Sequence, residues 1–269
     1  MGSRMIRDRS KDGRWWLIVG LFTVCVVGWS LALSFKVGAA DPSARQDSAR
    51  QDQAAARADR VWNLSDFNRI RISGSPAVTL VQGDVERISA TGDDDAVARL
   101  EVLVSGDELI VRNKRRAWIG DWLGGWNDER VDLVIEFVDL ERLQLLGSGR
   151  VRAAALRSQE FDLEVSGSGS TNIDQLLGES LKIQISGSGD IDVAGVVGRQ
   201  VVGISGSADY EARDLVTEAT RIRISGSGAA NVAASAVLDA RVSGSGSVRY
   251  LGDPEVKSSI SGSGKIRQL

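Results

Sequence analysis

The tetrapeptide Ser-Gly-Ser-Gly begins at Ser166, Ser186, Ser225, Ser243 and Ser261, with near copies at Leu146 (Leu-Gly-Ser-Gly) and Ser205 (Ser-Gly-Ser-Ala). The first glycines, Gly147, Gly167, Gly187, Gly206, Gly226, Gly244 and Gly262, stand 18 to 20 residues apart. A period of that size means one small supersecondary unit stacked on itself, which restricts the chain to a repeat architecture.

The flanks of each motif say what the unit is. The residue before each motif is aliphatic: Leu145, Val165, Ile185, Ile204, Ile224, Val242 and Ile260. Two residues further back stand Leu143, Leu163, Ile183, Val202, Ile222, Ala240 and Ser258, with the mostly polar Gln144, Glu164, Gln184, Gly203, Arg223, Arg241 and Ser259 between. Alternation resumes after the glycines, from Val151-Arg152 to Ile266-Arg267. Period-two alternation is the signature of a half-buried strand, so each repeat reads strand, tight corner, strand. Glycine reaches positive φ without a Cβ penalty, and a serine hydroxyl can close a turn on the backbone. The first glycines above and the second glycines Gly149, Gly169, Gly189, Gly228, Gly246 and Gly264 are therefore the predicted structural corners. Residues 141–269 read as an all-β, parallel β-solenoid. Four residues before the corners, Arg142, Asp162, Lys182, Val201, Arg221, Asp239 and Lys257 would bring opposite charges together if coils stack in register.

Residues 61–140 are strand-rich but irregular, with Ser73-Gly74-Ser75-Pro76 as a degenerate corner. They are expected to form the first, wider coils or a small sheet that covers the N-terminal end, because an uncovered end would be an open edge. One stretch stands apart: Trp118, Trp122 and Trp126 follow the basic run Lys114-Arg115-Arg116 at helical spacing. They form a candidate interface with a membrane surface or a partner's groove, or else a loop folded back onto the sheet.

At the N-terminus, residues 1–14 are basic, and residues 15–35 are uncharged and would span about 32 Å as a helix. This pattern predicts a cytoplasmic tail and a transmembrane anchor or uncleaved signal, with the rest of the chain outside the cytoplasm. Small residues near Ala39 and Ala40 leave a cleaved, secreted form as the alternative. Residues 36–60 are a polar linker in which Ser-Ala-Arg-Gln-Asp occurs twice, and such a composition cannot bury a core. The single cysteine, Cys25, lies in the apolar run, so the exported part has no internal disulfide. A net charge of −3 offers no broad basic surface, and no nucleic-acid partner is expected.

The run Phe67-Asn-Arg-Ile-Arg-Ile-Ser-Gly-Ser, the segment from Phe137 to Gly149, repeats of the type Ile185-Ser-Gly-Ser-Gly-Asp-Ile-Asp-Val193, and the closing segments Val248–Val256 and Ser261–Ile266 occur here in one order. In combination they resemble the putative auto-transporter adhesin, head GIN domain family, over about Val61 to Leu269. The Trp118–Trp126 insertion and the anchor are less typical of it, and Asp139 stands where the family often has proline. The resemblance implies an exported bacterial β-solenoid and supplies no catalytic residues.

The chain has no histidine, which excludes Ser-His-Asp and Cys-His nucleophile systems and histidine zinc sites. Asp190, Asp192 and Glu211 would lie on neighbouring coils as an acidic patch, read as surface solvation ahead of catalysis. The acid after the corner does not repeat, since Ser170, Ala229, Ser247 and Lys265 take its place, so the corners are not calcium-binding repeats. No Gly-Lys-Ser/Thr ends them, so they are not phosphate loops. The sequence therefore predicts no catalytic, metal or cofactor site. It predicts a non-enzymatic binding, adhesion or scaffold module of the bacterial envelope. The inner membrane would hold the N-terminal helix, the solenoid would lie in the periplasm, and an envelope protein or polysaccharide would be its ligand. The alternative is a carbohydrate-active solenoid enzyme using surface carboxylates.

Overall fold

The computed structural model describes residues 57–114 and 131–269. Its N-terminal strands are β1 (Arg57–Trp62), β2 (Arg69–Gly74), β3 (Ala77–Gln82), β4 (Arg87–Asp93), β5 (Leu100–Ser105), β6 (Glu108–Asn113) and β7 (Val131–Phe137), with a short helix, α1 (Asp94–Arg99), between β4 and β5. The repeats follow as β8 (Arg142–Gly147), β9 (Arg150–Ala153), β10 (Leu156–Arg157), β11 (Glu160–Gly167), β12 (Ser170–Gly187), β13 (Asp190–Gly206) and β14 (Asp209–Ala212). They continue as β15 (Leu215–Gly226), β16 (Ala229–Ala233), β17 (Val237–Gly244), β18 (Ser247–Leu251), β19 (Glu255–Gly262) and β20 (Lys265–Gln268).

The fold is an all-β solenoid, parallel throughout the repeats. Before the corner, β8, β11, the second half of β12, the second half of β13, β15, β17 and β19 pair in that order; after it, β9, the starts of β12 and β13, β14, β16, β18 and β20 do the same. Every corner thus lies over the one before it. The spacing varies from 18 to 20 residues, and the far side of the coil takes up part of the difference through a register shift between Ile173 and Leu176. Inward residues stack as columns. Leu143, Leu163, Ile183, Val202, Ile222 and Ala240 form one, and Leu145, Val165, Ile185, Ile204, Ile224 and Val242 another, all buried. Each large aliphatic buried this way contributes about 1.5–3 kcal/mol.

The charge column also forms, in part. Asp162 lies between Arg142 at 2.9 Å and Lys182 at 3.4 Å, and Asp239 pairs with Arg221 at 3.3 Å. Lys257, in register with Asp239, pairs instead with Glu255 of its own strand at 3.4 Å. The cations are exposed and the two aspartates half-buried, and exposed pairs of this kind are worth about 0–1 kcal/mol each.

The N-terminal region departs from chain order. β2 lies between β6 and β8, and β3 between β7 and β9, all parallel, so the coil made of β6 and β7 precedes the coil made of β2 and β3 along the stack. Ile72 pairs with Val111 and Ala77 with Asp132, so paired positions that are joined by the four-residue corner 73–76 in one coil are separated in sequence by residues 112–131 in the other. β5 then pairs antiparallel with β6, and β4 with β7 and β1, so the edges that β6 and β7 would leave open at this end are bonded.

Residues 57–60, assigned by composition to the polar linker, begin β1. Asp59 accepts a hydrogen bond from Thr91 at 2.9 Å, and the Arg60 guanidinium sits 4.7 Å over the Trp62 ring. Partners on β4 fix these polar residues as a strand, which composition does not reveal. Among the described residues no helix is long and apolar enough to cross a membrane. Segments 1–14 and 15–35, most of the linker, and Trp118, Trp122 and Trp126 lie outside the described residues.

Candidate functional site

Two kinds of glycine make the corner. The first kind, represented by Gly187 at φ +120° and Gly226 at φ +131°, occupies backbone space that L side chains rarely adopt, and a Cβ there would strike the carbonyl of the glycine one coil below. Gly147, Gly167, Gly206, Gly244 and Gly262 share that conformation. The second kind has no left-handed φ and is small for space. A Cβ on Gly169 would lie 2.6 Å from Leu145 Cδ2, and one on Gly246 would lie 2.7 Å from Ile224 Cγ2. Gly149, Gly189, Gly228 and Gly264 face similarly close neighbours.

The serines do not close the corner with their hydroxyls. The backbone does so between coils: the N–H of Ser168 donates to Gly147 O at 3.0 Å, and those of Ser188, Ser207, Ser227, Ser245 and Ser263 repeat the bond at 2.9 Å. The hydroxyls of these serines are exposed and have no protein partner among the described residues. Coils about 4.8 Å apart therefore carry an ordered ladder of free donor-acceptor groups along one ridge.

On the face after the corner, Asp190 is in register with Asp209, and Asp192 with Glu211. Burial, and then the charges of Glu211, Asp214 and Asp174, push the Asp192 carboxyl up. Burial also pushes Glu211 up, but bonds from Arg213 at 2.5 Å and Asn231 at 2.8 Å outweigh it and hold the carboxyl below its ordinary value. The structure thus brings the three predicted acids together. Among the described residues no group of acids is arranged to hold a metal ion.

On the face before the corner, the outward column runs Arg71, Gln144, Glu164, Gln184, Gly203, Arg223, Arg241 and Ser259, each in register with the next. Its missing side chain at Gly203 opens a groove of about 500 Å³, lined by Gln184, Arg223, Arg241 and the corner serines Ser205, Ser225 and Ser243. Sequence patterning placed these residues on the outer face but did not single them out. The available signal was one glycine in an otherwise polar row, followed by two arginines.

Repeated glycine corners, inward aliphatic columns and ordered polar columns outside define a parallel β-solenoid that displays a regular surface. The chain belongs to the putative auto-transporter adhesin, head GIN domain family, whose profile matches residues 66–254. Three solved structures share the fold. A putative adhesin from Bacteroides fragilis is 24% identical with a TM-score of 0.72, covering 79% of this chain and 97% of its own. A putative lipid binding protein from Parabacteroides distasonis is 25% identical with a TM-score of 0.63, covering 80% and 97%. A putative adhesin from Parabacteroides merdae is 20% identical with a TM-score of 0.62, covering 80% and 96%. No curated protein matches the chain.

Proposed function

We propose that this chain is a non-enzymatic binding or adhesion module of the bacterial envelope, held to the inner membrane by residues 15–35 with its solenoid outside the cytoplasm. The observation that carries the binding reading is the ladder of exposed corner hydroxyls that have no partner among the described residues and repeat at the coil spacing. Groups left unpaired in register on a rigid support lose little entropy on meeting a repeating ligand. Descriptions of two structural relatives as putative adhesins agree with this reading. Anchoring is supported by the basic flank and the length of the apolar run.

The test is incubation of the immobilised full-length chain with cell-wall and exopolysaccharide fractions. Retention with no new reducing ends is the expected result, and turnover would refute it. A second reading, a carbohydrate-active enzyme, draws on the neighbouring carboxyls of Asp192 and Glu211, whose environments push them in opposite directions as an acid and base pair requires. Turnover abolished by Asp192→Asn and by Glu211→Gln would establish that reading.

A further inference from the structure

The column through Gly203 changes character along the solenoid. In its N-terminal half the side chains satisfy one another: Arg71 Nε donates to Gln144 Oε1 at 2.9 Å, Gln144 Nε2 donates to Glu164 Oε2 at 2.7 Å, and Arg71 also pairs with Glu108 at 3.0 Å. Beyond Glu164 this stops. Gly203 has no left-handed φ to explain it, so its effect is the space it leaves. The Gln184 amide leans into that space, with Nε2 2.9 Å from where a Cβ would stand.

Arg223 comes next and has neither a hydrogen bond nor an ion pair among the described residues. Its register neighbour is another cation, Arg241, and like charges directly opposite each other on a sheet are destabilising. Arg241 pairs with Asp239 at 3.3 Å, but Asp239 also serves Arg221 at 3.3 Å. Two guanidinium groups, Arg221 and Arg241, therefore share the Asp239 carboxylate, and the third, Arg223, is left unserved beside the groove.

We propose that this groove binds a linear polysaccharide bearing carboxylates, such as a polyuronate. The proposal rests on the binding-module reading above and names its ligand class. Arg223 and Arg241 would take carboxylates through their planar donor forks, which fit that group in two parallel bonds. The Gln184 amide and the hydroxyls of Ser205, Ser225 and Ser243 would meet sugar hydroxyls. A saccharide fits better than a lipid because the side chains that project outward from this face are polar apart from half-buried Val201, while the aliphatic Val202, Ile204, Ile224 and Val242 that also line the groove belong to the buried inward columns. Donors repeated one coil apart also suit a ligand whose acidic groups recur along an extended chain.

The experiment measures binding of the full-length protein in detergent to polygalacturonate, with neutral dextran and phosphatidylglycerol vesicles as comparisons. Wild type should retain polygalacturonate, more weakly as salt rises, and should not retain dextran. Arg223→Ala should weaken binding about tenfold or more without lowering the melting temperature, because the side chain has no partner among the described residues and faces another cation. Gly203→Gln should weaken it similarly by filling the groove, Arg223→Lys should fall between, and Arg150→Ala on the other face should change nothing. The proposal fails if wild type does not retain polygalacturonate, if Arg223→Ala binds like wild type, or if the vesicles alone are bound. Full retention of Arg223→Ala on envelope polysaccharide would reject this groove while leaving the binding module standing.

Discussion

The hydroxyl of Tyr210 donates to Oε1 of Gln200 at 2.8 Å inside the solenoid, joining β14 to β13 on the side of the coil before the corner. Gln200 Nε2 in turn reaches Thr220 Oγ1 at 3.1 Å, the Thr217 and Thr220 hydroxyls lie 2.7 Å apart, and Thr217 donates to Ala233 O at 2.7 Å. Both Tyr210 and Gln200 are about 1% exposed. Room for the phenol ring comes from the next coil, where Ala230 is its register neighbour.

Tyr210→Phe is predicted to lower stability by about 1–3 kcal/mol, because it leaves the buried Gln200 oxygen without a donor. Equilibrium urea denaturation of both proteins at pH 7 measures this. An unchanged midpoint would mean that the cluster relaxes around the loss.

The same tyrosine predicts a pH dependence. Burial, and secondarily the charge of Asp192, push its phenol well above the ordinary value. Below about pH 10 both folded and unfolded chains keep the proton; above it the unfolded chain ionises first, so stability is lost as pH rises. Between pH 8 and pH 11 the wild-type urea midpoint should therefore fall further than that of Tyr210→Phe. Parallel slopes would contradict this.

The two corner glycines should respond differently to one methyl group. Gly187→Ala forces a residue at φ +120° against the Gly167 carbonyl, with strain of about 1–3 kcal/mol from the backbone alone. Gly189→Ala introduces what the fold already carries at Ala208, the buried residue in register with it one coil on. Thermal unfolding followed by circular dichroism should show the larger loss for Gly187→Ala. The reverse order would mean that spacing, not φ, controls the corner.

Asp192→Asn should raise the melting temperature at pH 7. The folded carboxyl is pushed up, so its stability contribution is intact below about pH 4, where the unfolded group is protonated, and is lost as pH rises through the folded value. At pH 3 the variant should melt like wild type. A gain of equal size at pH 3 would assign the effect to something other than charge.

Anchoring predicts that the full-length chain stays in the membrane fraction after alkaline wash, with residues beyond Lys36 open to protease only from outside the cytoplasm. A soluble product starting near Ala40 or Asp41 would show that the segment is a cleaved signal.

The sequence by itself determined the repeat, its strands and its corners, because each depends on residues a few positions apart. Alternation between Leu163 and Val165 reports a buried face, and a glycine after each first serine reports a backbone angle. Only the tertiary structure decided what those residues meet. That β6 and β7 precede β2 and β3 in the stack follows from pairings of distant strands, and no local pattern records it. Gln200 reads as one more polar residue until Tyr210, Thr217 and Thr220 surround it, and Arg57–Arg60 read as linker until β4 pairs with them. The groove at Gly203 arises the same way. A neighbour one coil away is 18 to 20 residues off in sequence, and which side chain it presents there, or fails to present, settles whether an arginine is paired or left free to bind.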